Sequence, residues 1–170
     1  LPKKTKRKLG LVIDLDTCVG CHACVVSCKG WNTENYGVPL SDQDPYGSDP
    51  EGTFLNRVHT YEVQPVEGEA QLVHFPRSCL HCEDAPCIKA CPCGALHKAT
   101  GGTVAIDYNT CCGHGTCVDV CPYGAIYMDP VANQAVKCHN CYHRLEQQME
   151  PACANTCPAD AISFGDLNDE

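Results

Sequence analysis

The residues of this sequence that could do the most chemistry are its cysteines, which number 17 in a chain of 170. Thiolates bind iron and zinc, and in oxidising surroundings they pair as disulfides. All of them except Cys93 and Cys112 fall into four groups along the chain. The groups are Cys18, Cys21, Cys24 and Cys28; Cys79, Cys82, Cys87 and Cys91; Cys111, Cys117 and Cys121, with His114 at the second position; and Cys138, Cys141, Cys153 and Cys157.

The spacing inside the groups repeats. The first group reads C-x2-C-x2-C-x3-C, while the middle gap is x4 in the second group and x11 in the fourth. Every group ends in C-x3-C, and the segments CPCGAL, CPYGAI and CPADAI close the second, third and fourth groups. Repetition of this kind indicates a duplicated structural unit.

This spacing is typical of [4Fe–4S] clusters, whose four irons each bind a thiolate. Closely spaced cysteines can wrap a tight loop around one cluster, and the last cysteine lies about one helical turn beyond the third. In bacterial two-cluster ferredoxins that last cysteine binds the neighbouring cluster. Zinc ribbons use isolated C-x2-C pairs and disulfide frameworks need separated partners, so neither explains the pattern. The sequence therefore predicts iron–sulfur clusters held in close pairs.

The remaining composition narrows the classes of function. Aromatic residues make up only 6% of the chain, so we expect bound metal to help hold it together. The net charge of −9 argues against a general nucleic-acid binder. No Ser–His, paired-carboxylate or phosphate-loop motif is present, so no catalytic residue is predicted.

The sequence contains no apolar run long enough to cross a membrane. Its basic residues 1–10 are not followed by the apolar stretch of a secretory signal. We therefore expect a cytoplasmic protein that is peripheral to the membrane through a partner subunit, with the periplasmic face as the alternative.

The four groups, in this order and with these gaps, resemble the four-cluster electron-transfer subunit of molybdopterin oxidoreductases of the dimethyl sulfoxide reductase and polysulfide reductase type. The resemblance extends from Leu11 to Leu167. The segments LGLVIDLDTCVGCHACVVSCKGWN and HFPRSCLHCEDAPC are most similar to the iron–sulfur subunit of membrane-bound sulfite-oxidising molybdoenzyme complexes. The resemblance implies a non-catalytic subunit that transfers electrons between a molybdopterin-containing catalytic subunit and an integral-membrane quinone-reactive subunit.

The resemblance also implies that group one pairs with group four and group two with group three. The implied ligand sets are Cys18, Cys21, Cys24 and Cys157; Cys138, Cys141, Cys153 and Cys28; Cys79, Cys82, Cys87 and Cys121; and Cys111, His114, Cys117 and Cys91. The expected cofactors are three [4Fe–4S] clusters and a fourth that is either [4Fe–4S] with a non-cysteine ligand or [3Fe–4S].

His114 stands where the fourth cluster should have a cysteine, and three interpretations stay open. In the first, its imidazole binds the fourth iron, which should raise the reduction potential as in Rieske centres. In the second, that iron is absent and cysteines alone hold a [3Fe–4S] cluster. In the third, the loop shifts and Cys112 supplies the thiolate. Cys93 is expected to be a small buried residue beside this cluster.

Residues 29–78 contain no cysteine and separate the first two groups. The runs TFLNRVHTYEV and AQLVHF around PVEGE predict a β-hairpin. The preceding segment PLSDQDPYGSDPEG predicts an ordered loop, which we interpret as a docking surface for the catalytic partner or simply as loop packing. Trp31 is expected to pack over a cluster, and no histidine other than His114 is given a ligand role.

The sequence thus predicts an α+β fold made of two bacterial-ferredoxin-like units of two clusters each, with a β-hairpin insertion between the first and second cysteine groups. Residues 1–28 with 132–170 would form one unit, residues 29–78 the insertion, and residues 79–131 the other unit. The predicted function is relay of single electrons through four clusters, in sulfite or other sulfur-compound oxidoreduction. The alternatives are an iron–sulfur subunit of a hydrogenase or formate dehydrogenase, and a cluster-based redox-sensing module.

Overall fold

The computed structural model describes residues 7–36, 54–66 and 68–169. Over these residues the chain forms short strands and short helices joined by the cysteine-rich loops. The strands are β1 (Leu9–Ile13), β2 (Asn56–Val63), β3 (Gln71–Ser78), β4 (Leu96–Lys98), β5 (Val104–Ile106), β6 (Ile126–Asp129), β7 (Gln134–Lys137) and β8 (Ile162–Asp166). The helices are α1 (Ala23–Tyr36), α2 (Pro86–Ala90), α3 (Thr116–Asp119), α4 (Tyr142–Glu146) and α5 (Ala152–Asn155).

Four of the helices position cysteines. The second residue of each is the third cysteine of a group, namely Cys24 in α1, Cys87 in α2, Cys117 in α3 and Cys153 in α5. The last cysteine of each group lies four residues further on, about one helical turn away, as predicted. None of the described helices has the length and apolar composition needed to cross a membrane.

The ligand loops share one backbone conformation. The second residue after the first cysteine has a positive φ in all four groups: 67° at Gly20, 47° at His81, 69° at Gly113 and 56° at Asn140. A left-handed residue inside such a loop turns successive N–H groups toward one concavity, which favours anionic ligands. The duplication seen in the cysteine spacing is therefore present in the backbone as well.

Matching turns precede the first and third groups. Asp14 accepts at Oδ1 the N–H of the residue two positions on, at 2.9 Å, and at Oδ2 the hydroxyl of Thr17, at 2.8 Å. Asp107 makes the same pair of bonds: its Oδ1 accepts the N–H of the residue two positions on at 2.9 Å, and its Oδ2 accepts the hydroxyl of Thr110 at 2.6 Å. These hydrogen bonds, led by the threonine hydroxyls, lower the pKa of both carboxyl groups. The two segments IDLDTC and IDYNTC thus fold alike.

Four antiparallel two-stranded sheets support the loops: β1 with β8, β2 with β3, β4 with β5, and β6 with β7. The β1–β8 pair, from Leu9 opposite Asp166 to Ile13 opposite Ile162, joins the two ends of the described chain. The boundary at 131 and 132 that the sequence suggested between two units falls in the turn between β6 and β7.

The hydrophobic core is divided in two. One cluster contains Ala85, Cys87, Leu96, Val104, Cys117, Ile126 and Ala135. The other contains Cys24, Val25, Phe54, Cys153, Ala154 and Ile162. Cysteine and alanine make up most of the buried apolar residues, so neither cluster buries much aliphatic or aromatic surface.

The segment between the first two groups contains the antiparallel pair β2–β3, in register from Asn56 opposite Ser78 to Val63 opposite Gln71. Phe54, just before β2, is 2% exposed and packs in the same cluster as Cys24. The ammonium of Lys29 and the guanidinium of Arg57 each lie 3.8 Å from its ring centroid. The predicted loop PLSDQDPYGSDPEG lies outside the described residues.

Candidate metal centres

The first predicted ligand set surrounds one cavity. A cavity of about 310 Å³ is lined by all of its thiols, Cys18, Cys21, Cys24 and Cys157. Cys24 is buried, whereas Cys21 is exposed. Burial, with smaller contributions from the neighbouring cysteines, raises the pKa of the Cys24 thiol to about 11. A thiol of this kind gives up its proton at neutral pH only if a cation takes its place.

The second predicted set gathers around the buried Cys28. Burial raises the pKa of its thiol well above the usual range. The next largest contributions, which also raise this pKa, come from Cys138, Cys153 and Cys141, the other members of the set. One turn along α1, Asn32 donates from Nδ2 to the carbonyl oxygen of Cys28 at 2.6 Å and to its Sγ at 3.5 Å. Such N–H···S contacts orient a ligand thiolate and stabilise its charge.

The third predicted set lies against the cluster that contains Val104. Burial raises the pKa of Cys87, and Cys79 and Cys121 act in the same direction. Cys82 and Cys121 both pack against the buried cluster to which Cys87 belongs. The N–H of Ala125 donates to Sγ of Cys121 at 3.4 Å. All four predicted ligands of this set therefore lie in one neighbourhood.

The fourth predicted set lines a second cavity, of about 340 Å³, whose walls include Cys91, Cys111, His114 and Cys117. Burial and the charges of Cys91 and Cys111 raise the pKa of Cys117. At Cys91 burial also acts to raise the pKa, but the backbone N–H groups of residues 93–96 outweigh it and lower the pKa. The loop after Cys91 is thus folded to stabilise a thiolate.

His114 is exposed at the mouth of this cavity, and its Nδ1 is hydrogen bonded to Oγ1 of Thr116. The two cysteines outside the pattern, Cys93 and Cys112, meet here as a disulfide, with Cα atoms 6.3 Å apart.

The disulfide corrects two expectations. Cys93 is half-buried rather than buried, and it is cross-linked rather than merely packed beside the site. Cys112 cannot supply a thiolate to the fourth set while the disulfide is intact. No sequence signal marks this pairing, because the two cysteines lie in different loops and neither is in a repeated position.

Each set neighbours the next. Cys24 of the first set raises the pKa of Cys28 and of Cys153 in the second set, so these two sets are adjacent. Cys79 of the third set raises the pKa of Cys138 in the second. Cysteines of the third and fourth sets share one buried cluster. The sets therefore neighbour one another in the order first, second, third, fourth.

Asn32 and Arg144 are polar residues around the sets that sequence reasoning missed. Besides its bonds to Cys28, Asn32 accepts at Oδ1 a hydrogen bond from Nε2 of His139 at 2.8 Å. Trp31, which we expected to pack over a cluster, donates its indole N–H to Nε2 of His143, and the two rings are nearly parallel with centroids 5.6 Å apart. The guanidinium of Arg144 lies 4.4 Å from the centroid of the Trp31 ring. The contacts with residues 139, 143 and 144 span more than a hundred positions, so spacing in the sequence could not reveal them.

The donor set fits iron–sulfur clusters. One cavity is lined by the four thiols of the first set and another by the three thiols of the fourth set with His114, and many of the described cysteines are buried where a bare thiolate would be costly. Among the described residues no three His, Cys, Asp or Glu side chains are placed to hold a single metal ion. Thiolates at the corners of a cluster bind different irons.

Comparison with known proteins agrees with this geometry. Two family models, each described as a 4Fe-4S dicluster domain, match residues 70–167 and 17–95. A sulfite dehydrogenase subunit of Allochromatium vinosum is 47% identical over 169 residues, which cover 95% of this chain and 70% of the relative. A polysulfide reductase component of Wolinella succinogenes is 34% identical, covering 96% of this chain and 78% of that protein. A putative dimethyl sulfoxide reductase iron-sulfur subunit of Halobacterium salinarum is 35% identical, covering 95% and 67%.

The fold and the thiol-lined sites define an electron-transfer protein with ferredoxin-like iron–sulfur domains, and the two dicluster matches together correspond to four clusters. The chain belongs to the 4Fe-4S dicluster family, among the iron–sulfur subunits of oxidoreductase complexes. The resemblance read from the cysteine motifs is confirmed.

Proposed function

We propose that this chain relays single electrons between a molybdopterin-containing catalytic subunit and an integral-membrane quinone-reactive subunit. The observation that carries the proposal is that the cysteines gather in four sets, each of which neighbours the next: Cys24 lies near Cys28, Cys79 lies near Cys138, and the third and fourth sets share one buried cluster. Iron–sulfur clusters bound there would each accept and release one electron. The role of the chain is to hold them in line and to limit the access of water.

The ligands that we propose are the four sets named above, and we leave Cys112 out of them because it is paired with Cys93. The last cysteine of each group serves the paired set, because Cys157 lines the first cavity and Cys91 lines the fourth. On this basis residues 1–28 and 132–170 form one two-cluster unit and residues 79–131 the other. Residues 29–78 are the insertion between the first and second groups, with the β2–β3 hairpin supplying Val58 and Pro76 to the wall of the first cavity.

For the fourth cluster we propose that His114 is the non-cysteine ligand, through Nε2. Its Nδ1 is already engaged by Thr116, and a ligating histidine normally has its other ring nitrogen hydrogen bonded in this way. The second candidate is a [3Fe–4S] cluster held by Cys111, Cys117 and Cys91, which the exposure of His114 favours.

Low-temperature EPR with an iron count on the same sample separates these two candidates. Ligation by His114 predicts about 16 irons per chain and no [3Fe–4S] signal on oxidation, and His114→Ala should then create that signal. A wild-type [3Fe–4S] signal with about 15 irons would contradict ligation, and His114→Ala would then change nothing. His114→Cys should give four all-cysteine clusters in either case and serves as the positive control.

The proposed substrate class is sulfite or another sulfur compound, since the sulfite dehydrogenase subunit is 47% identical while the formate dehydrogenase iron–sulfur subunit of Escherichia coli is 33% identical. Affinity purification of the tagged chain from native membranes tests the partners. Recovery of a pterin-containing chain whose activity reduces or oxidises sulfite supports the proposal. Recovery together with a hydrogenase or formate dehydrogenase supports the alternative that the chain serves one of those enzymes. A chain that is recovered alone and responds to air supports the redox-sensing alternative.

The compartment is tested separately. The sequence leads us to expect a cytoplasmic face, but the Cys93–Cys112 disulfide favours an oxidising compartment. Protease is added to cells whose outer membrane is permeabilised and whose inner membrane is intact. It should leave the chain uncut if the chain faces the cytoplasm and cut it if the chain faces the periplasm.

A further inference from the structure

Lys137 is a charged side chain buried in the middle of the molecule. It is the last residue of β7 and is 2% exposed. Its Nζ donates to the carbonyl oxygen of Cys138 at 2.9 Å and to the carbonyl oxygen of Val104. Burying an ammonium is costly unless an opposite charge compensates it. The carbonyl oxygens satisfy two of its donors but bring no full negative charge.

No carboxylate among the described residues forms a salt bridge with Lys137. The buried carboxylate of the same hairpin, Asp129, lies at the opposite end, where Oδ1 accepts the N–H groups of residues 131 and 132 at 2.8 and 3.0 Å. The counter-charge must come from another kind of group.

The groups on either side of Lys137 are thiols of two different predicted sets. Cys138 follows it directly, and Val104 packs in the same buried cluster as Cys87. The N–H of Val104 donates to Nδ1 of His81, within the ligand loop of the third set, at 3.0 Å. The ammonium therefore lies between the second and third sets.

We propose that Lys137 is a fixed cation that raises the reduction potentials of the two middle clusters. The inference rests on the ligand sets proposed above. Reduction adds one negative charge to a cluster, and a cation nearby stabilises that charge most where water does not screen it. Because one ammonium lies between both sets, it acts on both potentials in the same direction.

Lys137→Met tests the proposal, since it removes the charge and keeps the length of the side chain. In the cluster-loaded chain, an EPR-monitored redox titration should show both middle clusters harder to reduce. We expect the equilibrium constant for adding one electron to fall about tenfold or more, which corresponds to about 59 mV. The first and fourth clusters should shift less. Cys138→Ser and Cys79→Ser, which each alter one middle cluster, assign the signals.

Lys98→Met is the matched control. The Nζ of Lys98 also donates to carbonyl oxygens beside the third set, to His81 at 3.0 Å and to Gly102 at 3.1 Å, but this lysine is exposed. Water and salt screen its charge, so its removal should change the same equilibrium constant less than about threefold. Lys137→Arg keeps the charge and should stay within the same limit.

Unchanged middle potentials in Lys137→Met overturn the proposal, and so does an equal shift in Lys98→Met. If Lys137→Met loses iron while Lys137→Arg keeps the wild-type amount, the charge serves to retain the clusters rather than to set their potentials, and the proposal is overturned. Loss of iron from both variants overturns it in favour of a purely structural lysine. A wild-type chain that does not bind four clusters contradicts the proposed ligand sets instead, which the wild-type iron count reveals independently.

Discussion

His81 illustrates, at the scale of one residue, how a ligand loop depends on a side chain that need not bind metal. Its ring is 9% exposed, and its Nδ1 accepts the N–H of Val104 in β5 at 3.0 Å. Burial, reinforced by the charges of Lys137 and Lys98, lowers its pKa from 6.5 to about 3. The folded protein therefore holds this imidazole neutral, whereas the unfolded chain protonates it at mildly acidic pH.

This pKa predicts the direction of one contribution to acid stability. His81 contributes stability in full above its unfolded pKa of 6.5, and this contribution is lost as the pH falls from there toward about 3. His81→Asn keeps an acceptor for Val104 but does not titrate, so its free energy of unfolding should fall less steeply with acid. Urea unfolding of the two cluster-loaded proteins at matched pH values, over the range in which both keep the wild-type iron content, measures the difference. A parallel fall in wild type and variant would contradict the prediction, and His97→Asn, at an exposed ring, serves as the control.

At this scale the sequence reveals the cysteines and little else of the site. The spacing of ligands such as Cys79 and Cys82 is local, because a tight loop around a cluster requires it, and so it can be read from the chain. The roles of His81, Asn32 and Lys137 depend on contacts with distant residues. The sequence shows no periodicity that would mark them.

At the scale of the loops, Gly113 links the fourth ligand loop to the turn between β6 and β7. Its φ is 69°, and a Cβ at this position would lie 2.4 Å from the carbonyl oxygen of Asn133. Gly94 has a similar φ of 67° but open space around its Cβ position. Comparing a substitution at one glycine with the same substitution at the other therefore separates the cost of backbone strain from the cost of a steric clash.

We expect Gly94→Ala to cost about 1 kcal/mol of unfolding free energy from the left-handed backbone alone. Gly113→Ala should cost more and should also reduce the iron content by about one cluster, because the loop must move away from Asn133. Iron analysis and chemical denaturation of the two variants measure this. Equal losses in both would show that the contact with the β6–β7 turn does not matter.

The disulfide between Cys93 and Cys112 joins the segment after α2 to the fourth ligand loop across 19 residues. Closing a loop of about this size stabilises a protein by about 3 kcal/mol in the chain-entropy model. Cys93→Ser and Cys112→Ser should each lower the unfolding free energy by up to that amount, and the double variant should be no worse than either.

Peptide mapping without reductant verifies the cross-link, and iron analysis gives a second test of the same variants. Both single variants should keep the wild-type iron content, since neither residue belongs to a proposed ligand set. Loss of iron from Cys112→Ser but not from Cys93→Ser would instead make Cys112 a ligand.

The elements were predictable to the extent that they repeat. The turns at Asp14 and Asp107 and the helix that begins before each third cysteine follow from segments that occur more than once in the chain. The pairing of β1 with β8 could not be derived from strand propensity, because five-residue strands at opposite ends of a chain carry no local mark of their partner.

At the scale of the whole molecule, the core is too poor in large apolar side chains to hold the fold without metal. Its two buried clusters contain predicted ligand cysteines. Removing iron therefore removes the metal that joins these cysteines and empties the middle of each cluster. We expect oxidative removal of iron with a chelator to abolish cooperative unfolding and most far-UV circular dichroism, and anaerobic reconstitution to restore both. An iron-free chain that keeps a cooperative transition would show that packing alone suffices.

The β1–β8 sheet also determines when folding can be completed during synthesis of the chain. A ribosome delivers residues 9–13 on the order of ten seconds before residues 162–166, so the first strand waits without its partner. The thiols of the first group remain without Cys157 for equally long, whereas residues 79–121 emerge as one stretch that contains both the third and the fourth proposed ligand sets. Maturation should therefore proceed from the fourth and third sets toward the first, and the nascent chain needs protection from oxidants until its last strand arrives.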